Sequence, residues 1–199
     1  MGGSCDFSWA GRFDMTRAGR RTWQVVRHAV FWLALTAECG IAQAQTAGGD
    51  AAAKAKLVAT LVRFVQWPAN AFEHETSPLR LCVFANSQTV ERAFQSAAAA
   101  AVASRVVQTL INPTAAARAC HVVYIDEAGS AGSDRLLRNF AGEPSFTVGS
   151  TDGFVSEGGM VEIVQVDNVL RFDVNLAALH SARLGINPGV LKMARQVKH

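Results

Sequence analysis

Glu162 and Asp173 are the first residues in this chain whose types and spacing could do chemistry. They stand on two β-rich runs separated by Asp167-Asn168, a dipeptide that tolerates the positive φ of a two-residue hairpin turn. Such a turn sets Val166 opposite Val169, Met160 opposite Asn175 and Glu162 opposite Asp173, as paired acids would be. Arg171 falls on the same face, diagonal to Glu162, so the group reads as a charge-compensated surface cluster rather than a protonated dyad. His121 follows Cys120 at the start of an apolar strand and reads as a core histidine. His74 sits in a polar loop and His180 on a closing helix, and neither reads as part of a catalytic constellation. Asp126-Glu127 closes a strand, where α/β proteins place ligands, though a solvated strand end explains it as well. Gly149-Ser150-Thr151-Asp152-Gly153 could cradle an anion, but no Lys follows and a tight turn suffices. There is no Gly-x-Ser-x-Gly elbow, Walker loop or Gly-x-Gly-x-x-Gly. The residues therefore predict no catalytic centre, no cofactor and no metal site.

The elements that would position these groups follow an α/β rhythm. Residues 51–67 carry Leu57, Leu61, Phe64 and Val65 at helical spacing, and Pro68 ends the helix near Trp67. Phe64 and Trp67 are expected in the core. Strands are predicted at 79–85, 105–111, 120–125 and 145–148, with helices at 87–101 and 133–140. Runs buried on both faces and alternating with helices imply a parallel sheet. The hairpin at 158–175 places Val161, Ile163, Leu170, Phe172 and Val174 on one face, with Gln165 the sole polar residue there. Its other face holds Glu162, Arg171, Asp173 and Asn175. It is expected at the sheet edge, where its polar side is open to another chain. Helices at 176–184 and 188–197 close the chain, the last with Pro188 in its first turn. The predicted fold is α/β: a mixed, mostly parallel central sheet flanked by helices, a C-terminal antiparallel β-hairpin and two closing helices. In the last helix Leu191, Met193 and Val197 are either core or a partner surface, with internal packing the simpler reading.

The N-terminus reads as a secretory leader. Arg17, Arg20, Arg21 and Arg27 precede an apolar run from Ala29 to Leu35, and Ala42-Gln43-Ala44 offers a signal-peptidase site after residue 44. The distance of the run from Met1 points to Met15 as the functional start. Glu38 before Cys39 departs from a lipobox. The expected domain plan is a signal peptide over 1–44, a flexible N-terminus over 45–50 and one α/β domain over 51–199. Removing the leader leaves 14 Lys+Arg against 13 Asp+Glu (19 − 5 and 16 − 3). That balance gives no electrostatic case for nucleic acid. Of four cysteines, Cys82 and Cys120 remain, an even pair in an exported protein and so a predicted disulfide. They fall on the first and third predicted strands, and adjacent strands bring such residues into bridging range.

Several short motifs add to this. Phe64-Val65-x-Trp67-Pro68, Leu81-Cys82-Val83, Cys120-His121-Val122-Val123-Tyr124-Ile125, Thr147-Val148-Gly149, Gly153-Phe154, Gly158-Gly159-Met160-Val161 and Arg171-Phe172-Asp173-Val174-Asn175 occur in that order. The closing Leu184-Gly185-Ile186-Asn187-x-x-Val190-Leu191-x-Met193-Ala194 completes the set. Together they resemble the YfiR-like periplasmic family across 52–197. The resemblance implies a non-enzymatic periplasmic protein that represses an inner-membrane diguanylate cyclase by binding its periplasmic sensor region, lowering cyclic-di-GMP and biofilm formation. It also implies sequestration by an outer-membrane peptidoglycan-binding lipoprotein, and a homodimer. Cys82 and Cys120 match one family cysteine pair, while a second pair found in some members is absent between 145 and 159. Two other readings stand beside it: a small-molecule-binding module using Asp126, Gly149 or Trp67, and a hydrolase using His121 or Asp126.

Overall fold

The computed structural model describes residues 39–98, 105–114, 120–126 and 132–199. Most of the predicted leader, the end of the 87–101 helix and Glu127 lie outside the described residues. Residues 45–199 form one compact unit. The first described helix, α1 (Cys39–Val62), buries in this unit Ala51, Ala55, Val58, Leu61 and Val62, a stripe spaced by three, four and one, as one helix face requires. Among the described residues no helix is long and apolar enough to cross a membrane.

The helix stops earlier than Pro68 demands. Arg63 and Phe64 donate to the carbonyls of Thr60 and Leu61, tightening the last turn, and the chain then becomes a strand, β1 (Val65–Gln66). A tertiary partner takes over from helical propensity here: β1 pairs antiparallel with β8 (Gly185–Ile186), with Val65 opposite Ile186. Phe64 is consequently 40% exposed and not a core residue.

Among the described residues the main sheet has seven strands. Those after β1 are β2 (Leu79–Phe84), β3 (Val107–Ile111), β4 (Val122–Ile125), β5 (Phe146–Gly149), β6 (Val161–Val166), β7 (Val169–Asn175) and β9 (Gln196–Lys198), in spatial order 3-2-4-5-6-7-9. All neighbours are parallel except the β6–β7 hairpin. The first five strands follow the doubly wound order 2-1-3-4-5 of flavodoxin-like sheets, with the switch point between β2 and β4. Side chains of β4 alternate across the sheet as a pleated strand must. Val122 and Tyr124 join the core under α1 and α2 (Gln88–Ala97), where Phe94 stacks 4.2 Å from the Tyr124 ring. Val123 and Ile125 join a second core with Leu137 and Phe140 of α3 (Ser133–Phe140).

The hairpin has the expected register, Val166 opposite Val169 and Glu162 opposite Asp173. Asp167 and Asn168 take φ of 49° and 60°, the double positive value of a type I′ turn. The hairpin is not the sheet edge, however. The chain runs through α4 (Leu176–Ser181) and a four-residue α5 (Pro188–Leu191). It then turns at Lys192–Ala194 and enters β9, parallel to β7. The predicted helix over 188–197 is thus replaced by one turn and a strand. Arg195 explains the change: its N–H donates to the Phe172 carbonyl (2.8 Å) and its guanidinium pairs with buried Asp173.

Candidate functional site

Four groups of functional-type side chains are held by this frame. The disulfide is the first. Cys82, mid-strand in β2, and Cys120, just before β4, are bonded with Cα atoms 5.8 Å apart, because β2 and β4 are neighbours at the switch point. Both are buried, on the α3 side of the sheet. They are therefore covered by packing and unavailable as ligands.

The second group surrounds His121, at the amino end of β4. Its Nδ1 accepts the Arg80 backbone N–H (3.0 Å), and its Nε2 donates to the Ala71 carbonyl (3.0 Å). Phe72 stacks on the ring at 4.4 Å, and Trp67 meets both rings edge-on. Arg105 lies 3.9 Å over the other side of this assembly, at the Phe72 centroid, and donates to the carbonyls of His74, Glu75 and Ser77. Burial first, then the Arg80 charge, holds the His121 pKa below its ordinary 6.5. A shallow cavity of 470 Å³ opens between Trp67, Phe72, His74 and Arg105. Both ring nitrogens are engaged, so His121 is committed to structure and not free as a base.

At the opposite, carboxyl end of β4 sits a buried network. Tyr124 donates from its hydroxyl to Asp126 (3.0 Å), and Ser150 donates to the same carboxylate oxygen (3.3 Å). Burial drives the Tyr124 pKa well above its ordinary 10.0. Asp126 is 6% exposed, which corrects the reading of a solvated strand end. The three residues offered for small-molecule binding do not converge: Asp126 and Gly149 lie at the carboxyl ends of β4 and β5, whereas Trp67 packs at the amino end.

The fourth group corrects the hairpin's polar face. Glu162 and Asp173 are 5% and 4% exposed. The loop over 150–160 bonds to Glu162, which accepts the N–H groups of Gly153 and Val155 (3.0 and 3.1 Å). Asp173 is paired with Arg195, whose charge Asp173 holds on by hydrogen bonding. Arg171, opposite Val164, is exposed and compensates neither acid. Asn175 ties the same loop down, donating to the Val155 carbonyl and capping α4 through Ala178 N–H. Two glycines of the family motifs, Gly149 and Gly159, share one cause. Phe154, fully buried, is gripped between Gly149 and Gly159, and a Cβ at either would run into its ring. The paired-acid spacing was legible in sequence; the loop bonded to Glu162 and the C-terminal arginine were not. Spatial convergence, unlike spacing, leaves no local signal.

Of the remaining candidates, Met193 is 60% exposed, while Leu191 and Val197 are half-buried, Val197 in β9. Trp67 and Pro68 are half-buried, Gly158 turns at φ 102°, and Gly159 and Met160 are buried. Among the described residues no cluster of three His, Cys, Asp or Glu could hold a metal ion.

These features define a doubly wound α/β domain whose described functional-type side chains fasten loops to the sheet. Comparison with known proteins places the chain more closely. Residues 51–195 match the DUF4154 family, described as YfiR/HmsC-like, and the chain belongs to that family. No curated protein matches significantly. A solved structure described as the ABC domain in complex with L-Trp from Streptococcus pneumonia superposes with a TM-score of 0.53 at 14% identity, covering 72% of this chain and 60% of that one. The chain thus spans about three-fifths of that protein, and the likeness is one of fold alone. A conserved domain protein from Vibrio cholerae O1 biovar El Tor gives 0.46 at 10% identity, over 60% and 54% of the two chains.

Proposed function

We propose that this chain is an exported, periplasmic, non-enzymatic regulator. In this reading the segment 1–44 is a cleaved leader and 51–199 is one domain. The domain binds the periplasmic sensor region of an inner-membrane diguanylate cyclase and represses it, lowering cyclic-di-GMP and biofilm formation. Membership of the YfiR/HmsC-like family over residues 51–195 carries the reading. The protein acts as a homodimer and is withdrawn from the cyclase by an outer-membrane peptidoglycan-associated lipoprotein. Met193 and Arg171, both exposed, and the half-buried Leu191 and Val197 are the partner contacts; Glu162 contributes by holding the loop that bonds to it.

The test is co-expression with the diguanylate cyclase encoded nearest to this chain. Repression requires a fall in cyclic-di-GMP and capture of the isolated periplasmic region by the purified protein. Unchanged cyclic-di-GMP with a folded, exported protein refutes it. A second reading, a small-molecule-binding module, is favoured by the cavity walled by Trp67, Phe72 and Arg105. A binder gains about 2.7 kcal/mol at a hundredfold excess over its dissociation constant, which thermal-shift screening reads directly.

A further inference from the structure

The segment 67–77 passes over the amino end of the sheet and is pinned there from two sides. Arg105 holds its carbonyls at His74, Glu75 and Ser77. His121 holds it at Ala71 and stacks flat on Phe72, with an interplanar angle of 18°. The geometry points to His121 as an acid-released latch: protonation of the imidazole frees the segment 67–77 from the sheet and opens the aromatic surface formed by Trp67 and Phe72.

The argument is one of donors and acceptors. A neutral histidine has one of each, and here Nδ1 is the acceptor for Arg80 N–H while Nε2–H is the donor to Ala71. An imidazolium has two donors and no acceptor. Protonated in place, Nδ1–H would face the Arg80 N–H across 3.0 Å, in a site only 5% exposed. The charges acting on the ring from the neighbouring strands are Arg80 and Arg105, both cationic. The acids of the segment itself, Glu73 and Glu75, are exposed, as is His74. The hydrogen bond to the Ala71 carbonyl favours the charged ring, but burial and the two arginine charges outweigh it, so the proton is accepted only when the segment lifts. The sign follows: His121 in the native state ionises below its ordinary value, so closure is fully favoured above pH 6.5 and is lost as pH falls beneath it. In an exported protein such a latch reads the pH of the surroundings. The inference holds whatever the partner is.

Amide hydrogen exchange of the whole protein at pH 7.5 and pH 5.0, corrected for intrinsic rates, tests it. If only the open form binds the proton, opening rises by about thirtyfold at pH 5.0, the ratio set by 1.5 pH units below 6.5. The expected rise covers residues 71–77 and the Arg80 amide, with β4 and β5 unchanged. His121→Asn, whose side-chain oxygen can accept from Arg80 at every pH, abolishes the dependence, and His74→Gln leaves it intact. Persistence of the rise in His121→Asn, or its absence in the wild type, overturns the proposal. Should His121→Asn not fold, the wild-type imidazole decides: an NMR titration placing His121 near 6.5 with no gain in exchange overturns it equally.

Discussion

Replacing Gly159 by alanine isolates the grip on Phe154. Gly159 lies outside the left-handed region of φ, so alanine brings no backbone strain and its cost is steric. The added methyl would lie 2.8 Å from the Phe154 carbonyl oxygen and closer still to its ring. Relief requires a shift of about 1 Å in an interior packed as densely as an organic crystal. The ring cannot retreat, since Gly149 closes its other side, and the Gly159 N–H is bonded to that same carbonyl at 2.9 Å. Over-packing of this kind costs about 3 kcal/mol, the upper end of its usual range. At an m-value of about 2 kcal/mol/M the urea midpoint falls by roughly 1.5 M. Phe154→Leu alone costs roughly 1.5 kcal/mol as a core truncation. The two changes should not add: the smaller side chain makes room for the methyl, giving a rescue of at least about 1 kcal/mol in the double-mutant cycle. Urea melts of the four proteins with the disulfide intact, followed by circular dichroism, supply the cycle. Strict additivity, or a Gly159→Ala protein as stable as the parent, refutes the account of these glycines.

Other outcomes follow from the same structure. Cys82→Ser with Cys120→Ser opens a 38-residue loop and lowers stability by about 4 kcal/mol in the chain-entropy treatment, read in urea melts; the parent should show no free thiol at either position when denatured without reductant. Tyr124 is the chain's one tyrosine, and its burial raises its pKa. Absorbance at 295 nm should therefore stay flat through pH 10 and rise only with unfolding. Stability falls as pH climbs past 10.0, because the unfolded tyrosine releases its proton first. Asn175→Ala removes the cap of α4 and the partner of the Val155 carbonyl, and should cost about 2 kcal/mol. Gly185→Ala should cost about 1 kcal/mol: its methyl meets the Gln66 Oε1, 2.7 Å away and free to swing aside, but also the Gln66 Cβ at 3.2 Å, which must give by a few tenths of an ångström.

The parts legible in sequence were those set by local pattern. Alternation fixed the hairpin face, and Asp167-Asn168 fixed its register, because a two-residue turn leaves little choice of pairing. The bridge between Cys82 and Cys120 was expected from an even cysteine count, whereas the β2–β4 adjacency that permits it was only a condition of that expectation and is set by the sheet order. What local pattern missed were the places where a distant residue overrides propensity. Val65 leaves a favourable helix because Ile186 is waiting to pair with it. Gln196–Lys198 leaves a helical reading because Arg195 finds Asp173. Glu162 looks like a surface acid because the two N–H groups that satisfy it, at Gly153 and Val155, belong to a loop with no periodicity of its own.

The placement of β9 bears on how the protein is made. The last strand to be synthesised lies beside β7 and shields it, and β8, only slightly earlier, completes the pair with β1. Neither sheet is closed until residues near 186 and 197 are present. A chain emerging N-terminus first therefore holds β1 and β7 without these partners until residues 185–198 follow. A chain cut short before Gln196 would leave β7 as a bare edge.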